Sequence, residues 1–468
     1  MNTNRLISFF CRHVAVSRRY LVGPALAIWL PASADAAAVV NPVLAPNPNR
    51  IPMGDIGALE GGAIVARTSD AAATYYNPAG LVRAQQPSIS GNASLYEVTN
   101  TTYSSASGDS KSSTFNVVPS YVGAVGRFSE AKGLPSIAWG FAITNPVAWK
   151  SVVETTIDDP ANDYYLSNHG QAEINTLAPT FGLGFAINDD LSVGASIQGL
   201  YTTQSTTIAE QSRQPAFGTW SNFASVNERT IIQARFALAA SWRATDRIAI
   251  GAQLRSPTLL IHGSRDARLD ELTVTNAGTP AALITNSSGR LEGGDADLKR
   301  PFEAALGVSY SGDRWSLEAD INVRTAISTY KTNHDGVLIR TTEIDAVGNI
   351  TEDEYVFPGG ETTERAVING AIGGSYRLNA AFALHTGFFT DRSSVDNSSS
   401  IYQKINLYGF TIGVSYTGEH SSVSLGGAYS WSNKANAGDA FDPYSGTGQP
   451  TSVQVSILGA ALGAKYFF

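Results

Sequence analysis

The sequence predicts an all-β fold, a 14-stranded antiparallel transmembrane β-barrel. Three observations predict it. Apolar and polar residues alternate with period two along fourteen segments, the connections between these segments are alternately short and long, and the last segment ends in Phe468. A chain of 468 residues can form one large barrel, and its charged fraction of only 15% suits strands that face lipid on one side. No run of 18 or more apolar residues is present, so a transmembrane helix is not expected.

Residues 1–36 are predicted to be a secretory signal peptide. An arginine pair precedes an apolar run, and two A-x-A patterns allow cleavage after Ala36 or Ala38. The single cysteine, Cys11, lies in this leader, so the exported chain is expected to contain no disulfide. Without the leader the chain carries 28 basic and 39 acidic residues, a net charge of −11 that disfavours nucleic acid as a partner.

The clearest strand is Arg314–Arg324, where apolar and polar residues alternate without interruption. One face carries Trp315, Leu317, Ala319, Ile321 and Val323, and the other carries Ser316, Glu318, Asp320, Asn322 and Arg324. The fourteen predicted strands are 88–104, 115–128, 135–146, 171–187, 191–204, 227–243, 246–261, 301–311, 314–328, 363–377, 380–391, 403–417, 421–432 and 451–468. A soluble β-sandwich would show the same alternation, so the strands alone do not decide between the two folds.

The lengths of the connections decide between a barrel and a sandwich. Each link from an even to an odd strand is short, whereas the odd-to-even links include 147–170, 205–226, 262–300 and 329–362. Short turns at one end and long polar loops at the other, with an even number of strands, are typical of an outer-membrane barrel. We therefore expect the short turns and both mature termini on the periplasmic side, in the outer membrane of a Gram-negative cell.

Aromatic residues support this topology, because they crowd beside the short turns as an interfacial girdle would. They are Phe128, Trp242, Tyr310, Trp315, Tyr376, Phe382, Tyr416 and Phe468. Phe468 also matches the terminal signal by which the barrel assembly machinery inserts such proteins. In the same strand Val453, Val455 and Ile457 have the opposite phase, which indicates either a bulge near residues 457–458 or a partly apolar lumen.

Before the first strand, the run A-A-A-T-Y-Y-N-P-A-G-L (71–81) has the chemistry of a turn, because Pro78 fixes φ and Asn77 can hydrogen-bond within its own turn. Together with Gly61-Gly62-Ala63 and the Ala66-x-x-x-Asp70-Ala71 spacing, this run resembles the FadL family of outer-membrane transporters for long-chain fatty acids and other hydrophobic compounds. The resemblance extends to 242–257 and 376–378. It implies that residues 37–86 form a hatch inside a barrel of residues 87–468, with Asp70, Asn77, Pro78, Ala79 and Gly80 as its motif.

The same resemblance implies a kink in the third strand that opens the wall laterally. Gly140, between Trp139 and Phe141, is the predicted position of this gate, because a glycine can interrupt a strand. Asn145-Pro146 is a second candidate for the break.

Five charged residues are predicted to face the lumen: Arg247, Arg255, Glu318, Asp320 and Arg324. We expect a salt-bridge network among them, and the alternative is that one arginine binds a substrate carboxylate. His385 with an unidentified serine is the only start for a nucleophilic site, no catalytic or metal motif is present, and acidic runs such as 352–354 read as solvated loops. Neither enzymatic activity nor a metal or cofactor is expected.

The sequence therefore predicts uptake of long-chain fatty acids or other hydrophobic compounds by a monomer in contact with outer-membrane lipids. A general porin or a structural barrel is the alternative. A porin needs an open water-filled pore, whereas the predicted hatch would close it.

Overall fold

The computed structural model describes residue 47 and residues 53–105, 108–128, 136–160, 163–396, 404–441 and 448–468. The predicted leader with its cleavage site, residues 37–46 and the turn expected around Lys132 lie outside the described residues. In the described ranges, no helix has the length and apolar character needed to cross a membrane.

The secondary structure is almost entirely β. The elements are helix α1 (Ala73–Tyr76), a 3₁₀ helix (Pro78–Arg83), β1 (Ser88–Ser105), β2 (Gly108–Arg127), β3 (Ile137–Asp159), β4 (Tyr164–Ala186), β5 (Leu191–Gln214), a 3₁₀ turn (Pro215–Phe217), β6 (Thr219–Arg243), β7 (Ile248–Arg255), β8 (Leu259–Thr275), β9 (Leu283–Asp295), β10 (Glu303–Ser311), β11 (Trp315–Arg324), β12 (Ile327–Lys331), β13 (Val337–Asp345), β14 (Ile350–Phe357), β15 (Glu361–Glu364), β16 (Val367–Arg377), β17 (Phe382–Asp391), β18 (Leu407–Thr417), β19 (Ser421–Ser432), β20 (Ala435–Phe441) and β21 (Gly448–Phe467).

Fourteen of these strands close into an antiparallel barrel, which confirms the predicted fold. The wall runs through β1 to β7, β10, β11, β16 to β19 and β21, and β21 pairs with β1. Closure gives each wall strand two paired neighbours, as the lipid environment requires. The alternation seen in β11 now has a physical meaning: Leu317 and Ile321 face outward and are exposed, whereas Glu318 and Asp320 are buried in the lumen.

The wall is higher on one side. Strand β6 pairs with β7 along Ala237–Arg243, near the short turns, and with β8 along Trp220–Ala234. It has two partners on this side because the strand is interrupted at Pro257, between β7 and β8. The sheet then continues through β9, β13 and β14, so the segments 262–300 and 329–362, expected to be loops, contain strands. Each of these segments keeps enough alternating and β-branched residues to extend the sheet beyond the barrel.

The pairing of β21 decides between a bulge at residues 457–458 and a partly apolar lumen. It pairs with β19 without a register shift from Ser421↔Tyr466 to Trp431↔Ser456, so it contains no bulge at residues 457–458. Val453, Val455 and Ile457 are buried in the lumen, and Leu458 and Leu462 are exposed outside. The lumen is therefore partly apolar, and the irregularity lies in β1, between Ser94 and Val98.

Candidate functional site

The segment before β1 lies inside the barrel, in the half near the short turns; we call residues 53–86 the inner segment. Helix α1 and the 3₁₀ helix meet at Asn77, whose backbone is extended with φ −164° and ψ 92°. Its side chain accepts a hydrogen bond from Ala79 N (3.1 Å) and donates to Val65 O (2.8 Å) and to Ala240 O (3.2 Å) on β6. Asn77 thus holds the turn together and fixes it to the wall, while Pro78 starts the 3₁₀ helix with its φ already set.

The inner segment touches the wall closely where the wall has no side chains. At Gly194 on β5, a Cβ atom would collide with the backbone of Pro78 and Ala79. At Gly140 on β3, a Cβ would collide with Thr74 Oγ1 and would lie 2.7 Å from Leu81 Cδ2. At Gly194 the backbone of the inner segment packs directly on the wall, and at Gly140 two side chains of the inner segment do, so neither position leaves room for a Cβ atom.

Gly140 is therefore in contact with the inner segment, and the structure does not place the predicted gate there. It pairs in regular register with Val125 on β2 and with Gly182 on β4. Trp139 and Phe141 pair in the same way, so the ladder is intact at all three residues.

The interruption lies five residues further on, at the second candidate position. The β2–β3 pairing ends at Tyr121↔Thr144, and β3 has one extra residue against β4 between Thr144 and Val147. Pro146 has no N–H for the ladder, and one extra residue inverts which side of a strand faces inward. Beyond this bulge, the described contacts between β2 and β3 are made by side chains, from Ser112 to Val152 O and from Thr114 Oγ1 to Lys150 O (3.5 Å).

An apolar cluster lies in the lumen beside this interruption, in the half near the long loops. Its members are Tyr103, Trp149, Val153, Ile405, Leu407, Val453, Val455 and Ile457, all buried. The inverted phase of β3 beyond the bulge is what brings Trp149 and Val153 to the lumen face. Ile174 on β4 packs against the cluster.

The inner segment is attached to β11 by charge. Glu318 accepts from Ala66 N (2.6 Å) and from Arg67 Nε (2.9 Å), and Asp320 accepts from Val65 N (3.1 Å). Arg67 also contacts Glu60, so its guanidinium lies between two carboxylates. These two predicted lumen residues thus bind the inner segment instead of the lumen arginines.

A second attachment joins the inner segment to β17 and β18. His385 Nδ1 lies 2.7 Å from Glu60 Oε1, and His385 Nε2 lies 2.8 Å from Ser415 Oγ. Ser415 is thus the serine that sequence reasoning could not identify. Serine, histidine and carboxylate in this order resemble a hydrolytic triad, but side-chain exposure is 5% for His385 and 0% for Glu60. With the inner segment in place, no substrate can reach Ser415, so the geometry serves attachment.

A third attachment uses the last strand. Lys465 Nζ contacts Asp70 (2.6 Å) and Asp55 (3.3 Å), and Asp70 also accepts from Ala72 N (2.9 Å). Burial opposes ionisation of Asp70, but the nearby ammonium outweighs it and lowers the pKa of the Asp70 carboxyl below its ordinary value. Burial raises the pKa of the more distant Asp55. Phe468, three residues later, is exposed outside the barrel and donates to Pro87 O (3.0 Å).

An arginine cluster lies on the opposite side of the lumen from the apolar cluster; it comprises Arg235, Arg255, Arg300 and Arg324. Three of these contact one carboxylate, Glu303, at 3.3 Å (Arg235), 3.2 Å (Arg255) and 3.2 Å (Arg324). Arg255 and Arg324 were predicted to face the lumen, whereas Arg235, Arg300 and Glu303 were missed. Arg235 could have been identified from the sequence, because it is a charged residue in the inward-facing phase of a largely apolar strand.

The arginine cluster also touches the inner segment. Arg255 Nη2 donates to Tyr75 O (2.6 Å), and its guanidinium lies 4.3 Å from the centre of the Tyr75 ring. Gln253 donates to the same carbonyl (2.8 Å). Arg247, the fifth predicted lumen charge, lies instead at the short-turn rim, where its exposed side chain faces Asp313 (3.4 Å). Arg247 has the same phase as the inward-facing residues of β7, but it precedes Ile248, the first residue of that strand, and so lies at the rim and not in the lumen.

An open groove of about 410 Å³ lies far from these sites, among β4, β5, β6 and β8 near the long loops. Its lining includes His169, Glu210, Asp270 and Glu271. Its lining also includes Phe223 and Leu272, but the groove is open to solvent, so the enclosed lumen clusters are the better candidate site.

Sequence and structure comparisons agree on the kind of protein this chain resembles. A sequence profile of the family described as outer membrane protein transport protein (OMPP1/FadL/TodX) matches residues 53–468. No curated protein sequence matches the chain.

Several solved structures share the fold. The toluene transporter TodX of P. putida is 16% identical over 89% of this chain and 98% of its own, with a TM-score of 0.60. A FadL homologue of Pseudomonas aeruginosa is 14% identical over 92% of this chain and 100% of its own, with a TM-score of 0.59. The toluene transporter TbuX of Ralstonia pickettii is 16% identical over 90% and 99%, with a TM-score of 0.53.

Proposed function

Because the chain belongs to the OMPP1/FadL/TodX family of outer-membrane transport proteins, we propose that it takes up hydrophobic compounds across the Gram-negative outer membrane. The compound binds in the apolar cluster and leaves sideways through the wall between β2 and β3. One observation carries this proposal: the apolar cluster lies directly beside the interrupted β2–β3 ladder, while the inner segment fills the lumen below it.

Aromatic hydrocarbons are the first candidates, and long-chain fatty acids are the second. Tyr103 and Trp149 give the apolar cluster two aromatic surfaces, which suit flat apolar rings. TodX and TbuX, which share the fold, are toluene transporters.

Lateral release has an energetic reason. Delivering an apolar compound to the aqueous periplasm costs about 0.8 kcal/mol for each CH₂ group returned to water. A route from the lumen into the membrane avoids that cost. It needs a stretch of wall without a backbone ladder, and the boundary between β2 and β3 beyond Thr144 has none.

Family membership supports the prediction that the chain is not an enzyme, since the family consists of transport proteins. A general porin or a structural barrel remains the alternative function. The inner segment argues against it, because Gly140, Gly194 and the charged attachments hold that segment across the lumen. We further propose that the protein works as a monomer, inserted through its terminal Phe468 and surrounded by outer-membrane lipids.

The test is a cysteine pair at Ser112 and Val152, linked across the interruption by oxidation or a short thiol-specific crosslinker. The predicted mature chain has no cysteine, so the pair reacts without competition. We expect linkage to reduce uptake of labelled toluene several-fold in cells with equal surface expression, and a reductant to restore it.

The matched control is a cysteine pair at Ser221 and Thr273, whose hydroxyl oxygens lie 3.0 Å apart across an intact β6–β8 ladder. Linking it should leave uptake unchanged. Unchanged uptake in the linked Ser112–Val152 protein would exclude this exit, and no uptake above vector-only cells for toluene or a fatty acid would exclude the proposed function itself.

A further inference from the structure

One hydroxyl group lies among the side chains of the apolar cluster, that of Tyr103. Tyr103 is 2% exposed, and its hydroxyl has no hydrogen-bond partner within the described residues. Tyr121, which is also buried, places its hydroxyl 2.9 Å from Ser90 Oγ. Tyr330, buried as well, accepts a hydrogen bond on its hydroxyl from Lys299 N at 3.0 Å. The fold therefore gives these other buried tyrosine hydroxyls a partner and leaves that of Tyr103 open.

The open hydroxyl is costly unless something binds to it. A polar group that loses its hydrogen bonds to water on burial and gains none from the protein destabilises the fold. An ordered water would itself need several polar partners, and the cluster surrounds Tyr103 with side chains such as Val153, Val453 and Val455, which offer none. The remaining partner is a polar atom of the compound that binds in the cluster.

The chemistry of the apolar cluster limits that atom. The cluster contains no charged residue, so an ionised group would be buried there with a single hydroxyl as its partner, at a large cost in desolvation. A hydroxyl group suits the site better, because it both donates and accepts a hydrogen bond, as the tyrosine hydroxyl does. Trp149 adds a flat apolar surface for an aromatic ring. An aromatic ring with one uncharged hydroxyl group therefore matches both features of the cluster.

Tyr103 also lies close to the interrupted part of the wall. It pairs with Ser110 on β2, two residues from Ser112, whose side chain contacts Val152 O across the interruption between β2 and β3. Two residues along a strand span about 7 Å. A compound that moves from the apolar cluster toward this interruption therefore passes the Tyr103 hydroxyl.

We propose that Tyr103 hydrogen-bonds an uncharged hydroxyl group of the transported compound, so that alkylphenols are substrates in addition to hydrocarbons. This inference rests on the transport function proposed above. It makes Tyr103 the residue that distinguishes compounds of the same shape by a single polar group, which the aliphatic side chains around it cannot do.

Two probes of nearly equal shape test the proposal: 4-methylphenol, and p-xylene, in which a methyl group replaces the hydroxyl. Their dissociation constants are measured by isothermal titration on the protein in lipid nanodiscs, after subtraction of the heats from protein-free nanodiscs. Tyr103→Phe removes only the hydroxyl. It should lower the affinity for 4-methylphenol relative to that for p-xylene about fivefold, the size expected for one hydrogen bond between uncharged groups.

Tyr201→Phe is the matched control, because Tyr201 is exposed on β5 and does not belong to the apolar cluster. It should leave the relative affinity for the two probes as in wild type. The stability of the protein without a ligand is a second measurement. Because the Tyr103 hydroxyl has no partner, the Tyr103→Phe protein should unfold at the wild-type temperature or above it.

Two results would overturn the proposal. One is a relative affinity for 4-methylphenol that does not change in Tyr103→Phe. The other is a Tyr103→Phe barrel that unfolds at a lower temperature than wild type or fails to insert, because the hydroxyl would then have a partner in the empty protein. A wild-type protein that does not bind p-xylene would refute the proposed transport function itself, whereas p-xylene binding with either of the two results would refute only this inference.

Discussion

Among the charged regions of the lumen that contact the inner segment, two are built in opposite ways. At Glu318 and Asp320 the carboxylates receive hydrogen bonds from the chain itself, from Ala66 N, Val65 N and Arg67. At the arginine cluster, three guanidinium groups share the carboxylate of Glu303, and a donor of the fourth arginine, Arg300, has no acceptor. Both regions include residues of β11, only four residues apart at Asp320 and Arg324.

The difference separates attachment from recognition. In the first region three of the four carboxylate oxygens accept hydrogen bonds from the inner segment and only Asp320 Oδ1 does not, so these carboxylates mainly hold that segment in place. A buried surplus of positive charge can accept an anion. The comparison therefore predicts that removing a carboxylate from the first region releases the inner segment. Removing the carboxylate from the second region should instead destabilise the fold in a way that an added anion partly reverses.

The largest effect is expected from Glu318→Ala. It removes the acceptor of Ala66 N and one of the two carboxylate partners of Arg67, and breaking a buried ion pair costs about 3–5 kcal/mol. The inner segment should leave its position, so that single barrels in planar bilayers change from closed to conducting. Glu354→Ala, at an exposed ion pair on β14, is the control. Wild-type conductance in a heat-modifiable, inserted Glu318→Ala barrel would show that these contacts do not hold the segment.

A smaller and reversible effect is expected from Glu303→Gln, which removes the carboxylate partner of Arg235, Arg255 and Arg324. This variant should unfold at a lower temperature than wild type, and 4-methylbenzoate should restore part of the loss. An anion at 100 times its dissociation constant stabilises by about 2.7 kcal/mol. Glu318→Ala should show no such rescue. Equal responses of the two variants to the anion would remove the distinction between the two regions.

The smallest effect concerns pH and the third attachment, where Asp70 faces Lys465, Asp55 and Tyr121. The folded pKa of Asp70 is lowered, so its contribution is complete above the unfolded value of about 4 and is lost as the pH falls through the folded value. Asp70→Asn should weaken the attachment by about 1.5 kcal/mol at pH 7.

Conductance measured from pH 7 to pH 3 checks this prediction. The wild-type barrel should open only below about pH 4, as Asp70 takes up its proton. The Asp70→Asn barrel should open to a small extent at every pH and lose the step at low pH. A step that persists in this variant would place the titrating group elsewhere.

The sequence predicted what depends on local pattern. Period two along β11 and the alternation of short and long connections were enough for the fourteen wall strands and their closure. The phase of Val453, Val455 and Ile457 also indicated a partly apolar lumen. A bulge remained the other explanation until the pairing of β21 with β19 was known.

The rest depends on contacts between residues that are distant in the chain. Nothing local shows that Gly140 packs against Leu81, so its missing side chain read as a weak point in the ladder. The partners of Glu303 come from β6, β7 and β11, and a pattern within one strand cannot reveal them. Arg247 has the correct phase but lies beyond the end of its strand, a boundary that sequence patterns locate poorly.

The contact between Lys465 and Asp70 has a consequence for how the protein is assembled. Lys465 lies on β21, and β21 takes its place by pairing with β1, from which it is separated by most of the described chain. This is the pairing of greatest sequence separation in the barrel, and such pairings form late because their loop-closure entropy is large. The inner segment, which Lys465 holds through Asp70, is therefore expected to become fixed late in assembly. The barrel is therefore expected to form the β1–β21 pairing and to fix the inner segment in the same step of assembly. A chain truncated before Lys465 should lose both.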